Sequence, residues 1–170
     1  GSAPLLSDTF AAWAQRTGYT ILERYGMSET LMLTSNPYEP AQGPRLAGTV
    51  GLPLPGVRLR VADEEGRALP LGEVGGIQVQ GPNVFQGYWR MPEKTAEEFT
   101  PDGFFRTGDV GRQDAQGVVS IVGRSKDVII SGGYNVYPAE VEAAINALPG
   151  VAECAVVGVA HADFGEVGLA

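Results

Sequence analysis

Leu6, Phe10, Trp13 and Ala14 recur at helical spacing through L-L-S-D-T-F-A-A-W-A-Q-R-T (residues 5–17), which predicts one amphipathic helix ended by Gly18. Residues 20–23 then read as a buried strand, and the chain emerges from it at the polar stretch R-Y-G-M-S-E-T (24–30). From 47 to 123 the pattern shortens into β segments, V-R-L-R-V-A (57–62), G-I-Q-V-Q (76–80) and V-V-S-I-V (118–122), each bounded by glycine, proline or acidic turns. Inside that region P-E-K-T-A-E-E-F (92–99) opens with proline and carries acid in its first turn, as a short surface helix does. The last stretch reads as strand or turn (D-V-I-I-S-G-G-Y-N-V), then a helix from Pro138 to Leu148 with Val141, Ala144, Ile145 and Leu148 on one face. Pro149-Gly150 stops it, and C-A-V-V-G-V follows as a strand. The expected fold class is mixed α/β.

Composition narrows the chemistry. At 170 residues and 44% hydrophobic, the chain can bury a sizeable core as one domain or parts of two. No apolar run approaches a membrane span and no signal-peptide pattern opens the chain, so the expectation is a protein of the cytoplasm without a membrane partner. A formal net charge of −8 repels nucleic acid at long range while permitting a local cationic pocket for an anionic ligand. Cys154 is the single cysteine; heading an apolar run, it reads as a core residue, which argues against redox chemistry. His161, the single histidine, has no ligand-spaced acids or cysteines around it and reads as structural.

The 24 glycines are spread along the chain, and several sit in polar clusters: R-Y-G-M-S-E-T (24–30), F-R-T-G-D (105–109), G-R-S-K-D (123–127) and S-G-G-Y-N-V (131–136). Taken singly, each is most simply a turn. Taken together they hold what a nucleotide site needs: backbone amides and hydroxyls for phosphates, a carboxylate for a metal ion and another for sugar hydroxyls.

In this order the clusters, with G-P-N-V-F-Q-G-Y-W and P-E-K-T between them, resemble the adenylate-forming superfamily of acyl- and aryl-CoA synthetases, adenylation domains and luciferases. The resemblance covers nearly the whole chain. It is tighter to the malonyl-CoA synthetases, through G-S-A-P-L, L-E-R-Y-G-M-S-E-T, S-N-P-Y, G-P-N-V-F-Q-G-Y-W-R-M-P-E-K-T and H-A-D-F-G-E. It implies residues 1–46 as the end of a large N-terminal domain, 47–125 as that domain's β-rich module, and 126–170 as a hinge with the start of a small C-terminal α+β domain.

The implied activity is a two-step ligase with ATP, Mg2+ and CoA as cofactor and co-substrates. A carboxylate attacks the α-phosphate of ATP to give an acyl-AMP, and the CoA thiol then displaces AMP. Both steps build negative charge, so positioning and electrostatic stabilisation carry the catalysis. By resemblance, Thr30 or Ser28 bonds the α-phosphate, Glu29 holds the magnesium ion and Tyr25 stacks on adenine, with Gly26 and Met27 beside the nucleotide. Asp109 accepts from both ribose hydroxyls and Arg124 lies near ribose or phosphates. Gly1, Ser2 and Ala3 match nucleotide-contacting G-S-A-P-L sequence, unless Gly1-Ser2 is the scar of a cleaved tag. Lys126 occupies the hinge position, and Ser131, Gly132 and Gly133 match the passage for the pantetheine arm of CoA.

Plainer readings stand beside these: a turn or N-cap for Asp109, a solvated loop acid for Glu29, a tight G-G turn for Gly133. Arg24, directly before the adenine tyrosine, suits a forked pair with a second substrate carboxylate, hence malonate or methylmalonate; the plainer reading pairs it with Glu23 or a surface acid. The family's phosphate loop ending in lysine and its C-terminal lysine are not in this sequence. The chain therefore reads as a fragment expected not to turn over by itself. A ligase for a fatty, aryl or amino acid, and a non-catalytic nucleotide-binding module, remain as alternatives, and the oligomeric state is left open.

Overall fold

A computed structural model describes residues 5–170, which fall into two compact units, the first running to 107 and including 111–121, the second made of 108–110 with 122–170. The first unit opens with helix α1 (Ser7–Thr17), whose last turn closes on Gly18: its N–H bonds Ala14 O at 2.9 Å with φ +74°, a left-handed stop suited to glycine. The expected apolar stripe is there, with Leu6 and Trp13 about half exposed.

The strand expected at 20–23 is absent; strand β1 is Arg24–Met27, the polar stretch itself. The reason is pairing. β2 (Leu31–Ser35) folds back antiparallel on 24–27, whereas among the described residues 20–23 has no partner strand, its carbonyls being met by Asn36 N at Glu23 O and by the Arg45 guanidinium at Thr20 O. β3 (Leu52–Pro53) completes a sheet ordered β1-β2-β3.

A second sheet runs β4-β5-β6-β7, from β4 (Arg58–Ala62), β5 (Gly75–Gln80), β6 (Phe105–Gln113) and β7 (Val119–Arg124). β4, β5 and β7 lie where alternation predicts them; the nine-residue β6 instead runs through the polar cluster F-R-T-G-D. Its alternation explains both aspects, because Phe105, Thr107 and Asp109 share one buried face while Gly108 and Arg112 are exposed. The first unit's core joins Leu33 of β2 with Ile77, Val79, Phe105 and Val119, and Phe85 and Phe99 pack on Phe105 at centroid distances of 5.2 and 5.4 Å. Helix α2 (Pro92–Glu98) lies on the surface with Pro92 in its first turn and an i,i+4 ion pair between Lys94 and Glu98.

In the second unit, β8 (Ile129–Ser131) and β9 (Tyr134–Val136) form a hairpin, helix α3 (Pro138–Asn146) follows, and β10 (Val157–His161) pairs with β11 (Gly165–Leu169). The sheet order is β10-β11-β8-β9. β10 begins three residues later than the apolar run suggested, because Val156 N is taken by Glu142 Oε1 of α3 at 2.8 Å. Cys154 is half-buried, its Sγ 3.6 Å from Glu142 O. His161 closes β10 against Phe164, its Nδ1 accepting from Asp163 N at 3.2 Å. Among the described residues no helix is long and apolar enough to cross a membrane.

Candidate functional site

The turn between β1 and β2 carries Ser28, Glu29 and Thr30. Its shape depends on Gly26: the strand register shifts between Tyr25 and Gly26, and a Cβ on Gly26 would lie 2.0 Å from Leu31 O. Leu31 completes the turn at φ +52°, an unusual conformation for leucine. Ser28 is exposed and Glu29 half-buried. Thr30 is fully buried, with its hydroxyl 3.3 Å from Leu31 O, so of the paired hydroxyls named for a phosphate only that of Ser28 faces solvent.

This turn is held from a loop more than fifty residues away in sequence, 81–88 (G-P-N-V-F-Q-G-Y). Phe85 N donates to Glu29 O at 2.8 Å, and Asn83 Nδ2 donates to Thr30 O at 2.7 Å and Met32 O at 3.0 Å. The Tyr88 hydroxyl makes a long bond of 3.2 Å to Glu29 Oε1. Burial first, then the Glu29 charge, pushes the Tyr88 phenol up, which keeps it a protonated donor. The loop's role in the site is not legible from the sequence, where its signal is no more than an asparagine and a tyrosine among mainly proline, glycine and apolar residues.

Tyr25, Gly26 and Met27 lie on β1 with Tyr25 opposite Thr34. Arg24 is exposed at the open end of the hairpin, opposite Ser35, roughly 10 Å of strand from Met27. It forms no ion pair with Glu23 among the described residues. Burial, the largest influence, raises the Glu23 carboxyl above the usual range.

Asp109 is neither a turn nor an N-cap residue. It sits within β6, nearly buried, and its Oδ1 meets Nε of Arg124, the last residue of β7, at 3.1 Å. Two candidates 15 positions apart are thus brought together. Next to them the backbone at Gly108 has φ +74° with open space where a Cβ would stand, and Ser125 Oγ donates to Gly108 O at 3.1 Å. Lys126 is exposed in a short 3-10 turn, Ser125–Asp127. Ser131, Gly132 and Gly133 form the β8–β9 hairpin, where both glycines have positive φ, +56° and +85°, as a type I′ turn requires. Gly132 N donates to Phe164 O, and a Cβ on Gly133 would meet nothing within 4 Å, so the tight-turn reading fits the local geometry. Gly1, Ser2 and Ala3 lie outside the described residues.

Among the described residues no three or more histidine, cysteine or acidic side chains are arranged to hold a metal ion. A magnesium ion carried by nucleotide phosphates needs only one or two protein carboxylates, and Glu29, with one oxygen held by Tyr88, keeps its second oxygen for such an ion. The residues fit that mode.

Two families match the chain: AMP-binding enzyme over residues 1–89 and AMP-binding enzyme C-terminal domain over residues 140–170. Malonate–CoA ligase of Arabidopsis thaliana is 45% identical over 98% of this chain and 26% of its own length. Sulfoacetate–CoA ligase of Cupriavidus necator is 43% identical over 97% of the chain and 32% of its own length. The solved structure of ATP-bound MatB from Rhodopseudomonas palustris superposes with a TM-score of 0.94 at 60% identity, covering 99% of this chain and 33% of that one. The chain therefore spans between a quarter and a third of the length of these relatives.

Proposed function

This chain belongs to the AMP-binding enzyme family, and on that premise we propose that the enzyme carrying these residues is an AMP-forming acid–CoA ligase acting on malonate or methylmalonate. The observation that carries the reading is the likeness over almost the whole chain to a malonate–CoA ligase. ATP as co-substrate is supported by the 60% identity to a protein solved with ATP bound.

In the first half-reaction a carboxylate oxygen of the acid bonds the α-phosphorus and the bond to the β-phosphate bridging oxygen breaks, releasing pyrophosphate. Ser28 would offer its exposed hydroxyl to the α-phosphate. For Thr30 to do so, its side chain would turn off Leu31 O. Glu29 would hold the magnesium ion, which when bound neutralises phosphate charge as pyrophosphate leaves. Tyr25 would stack on adenine, Gly26 and Met27 would line the nucleotide, and Gly1, Ser2 and Ala3 would lie beside it. Asp109, already desolvated and therefore pre-organised, would accept from both ribose hydroxyls, with Arg124 fixing the carboxylate and adding positive charge.

In the second half-reaction the CoA sulfur bonds the acyl carbon, the acyl–phosphate oxygen bond breaks, AMP leaves and the thiol proton is lost. Lys126 would be the hinge, and Ser131, Gly132 and Gly133 would border the pantetheine arm, the small hairpin turn keeping the passage free of side chains. Arg24 would take the second carboxylate of the acid in a forked pair, being exposed and not engaged by Glu23. A cytoplasmic setting, with residues 1–46, 47–125 and 126–170 as functional segments, is part of this reading.

The test is AMP release by the enzyme with ATP, magnesium and CoA, offered malonate, methylmalonate, acetate or a long-chain fatty acid. AMP formed fastest with the dicarboxylates supports the proposal, and preference for acetate or the fatty acid overturns its substrate half.

A further inference from the structure

The hydrogen bonds from the 81–88 loop lead to one residue outside the site assigned so far. We infer that Tyr88 is a positioning residue: its hydroxyl aims the Glu29 carboxylate, so that the turn after β1 presents one oxygen to a cation arriving with ATP. This rests on the reading of Glu29 given under Proposed function.

Three observations converge on it. First, Tyr88 is the side chain that bonds the Glu29 carboxylate, while Phe85 N and Asn83 Nδ2 hold the backbone carbonyls of Glu29, Thr30 and Met32. Backbone and side chain of the turn are thus gripped by the same loop. Second, that loop is anchored in the core. The Tyr88 ring packs edge-on against Phe85 at 4.8 Å, and Phe85 packs on Phe105 at 5.2 Å, so the hydroxyl has a rigid base. Tyr88 N also accepts a fixed place by donating to Thr95 Oγ1 of α2 at 2.9 Å, which ties the end of the loop to that helix. Third, Gly87 permits this approach: a Cβ there would meet Thr95 Cγ2 at 2.6 Å and Oγ1 at 2.8 Å, at φ +149°.

A half-buried carboxylate on a short turn has rotameric freedom that would be lost on binding a cation. A donor that fixes one oxygen beforehand lowers that loss, as partners of metal-ligating carboxylates do elsewhere. Apolar residues would serve equally well if the loop only filled space; the hydroxyl would then be dispensable.

The experiment compares wild-type enzyme with Tyr88→Phe, Glu29→Gln and the double variant. Mn2+ binding is read by the loss of its free-ion EPR signal, with ATP present and acid absent, so that no turnover is needed. ATP affinity is measured separately in EDTA. Tyr88→Phe is expected to weaken Mn2+ about tenfold while leaving metal-free ATP affinity and melting temperature near wild type. In the Glu29→Gln background it is expected to add nothing. Equal Mn2+ affinity in wild type and Tyr88→Phe, with Glu29→Gln impaired, overturns the positioning role alone. Unchanged Mn2+ affinity in Glu29→Gln overturns the metal assignment on which it rests. A Tyr88→Phe loss that persists undiminished in the Glu29→Gln background marks a merely structural tyrosine and also overturns the inference.

Discussion

Asp109 Oδ1 lies 3.1 Å from Arg124 Nε, the aspartate side chain 9% exposed and the arginine 53%. The asymmetry matters, because a carboxylate set into a strand face is desolvated before any ligand arrives, and the half-exposed guanidinium contributes compensating charge from outside.

Removing each partner should therefore have a different effect. Asp109→Ala is expected to weaken AMP and ATP binding by about a hundredfold, two charge-assisted hydrogen bonds to ribose being lost. Arg124→Ala should lower stability by about 1 kcal/mol, discounted for the exposure of the arginine, and weaken nucleotide less. Calorimetric titration with AMP and urea unfolding of the same proteins separate the two effects.

Arg24 is a question of selectivity. Its replacement by alanine should reduce the preference for malonate over acetate by tenfold or more, leaving acetate turnover nearly unchanged, since only the second carboxylate loses a partner. The ratio of kcat/KM values for the two acids decides it, and an unchanged ratio removes Arg24 from the acid site.

Two glycines predict contrasting costs. Gly26→Ala drives a Cβ onto Leu31 O, a backbone atom that cannot step aside, so about 3 kcal/mol of stability should be lost and the turn bearing Glu29 displaced. Gly133→Ala meets open space and only the left-handed backbone at φ +85° resists it, for about 1 kcal/mol. Urea midpoints of the two variants give the comparison.

Asp102 supplies a pH prediction. The bond from Arg60, then that from Thr100, lowers its carboxyl from 3.8 to about 2. Arg60 forks onto it at 2.7 and 3.1 Å while lying 4.0 Å over the Phe104 ring. A depressed folded-state pKa means the contribution is present above the unfolded value and is lost as pH falls toward 2. Asp102→Asn should thus melt below wild type at pH 7, with the gap closing between about pH 4 and pH 2. A gap that persists at pH 2 contradicts this.

Apolar spacing with a start or stop residue was sufficient for α1 and α3, alternation bounded by turn residues for β4, β5 and β7, and a proline start with acid in the first turn for α2, as Gly18, Pro138 and Pro92 illustrate. They failed where a strand was built from polar residues. β1 runs through R-Y-G-M because a hairpin partner at 31–35 satisfies its backbone, and β6 runs through F-R-T-G-D because its neighbours do so on both sides.

What the sequence by itself determined was the family, the order of the polar clusters and the residue types a nucleotide and a thiol would need, since these are properties of identity and spacing along the chain. The tertiary structure decided which of them meet. Asp109 reaches Arg124 because adjacent strands carry them, and Tyr88 reaches Glu29 across 59 positions because Phe85 and Phe105 pin the intervening loop to the core. Contacts of that kind arise from the burial of apolar side chains elsewhere in the chain, and no local pattern around either partner encodes them.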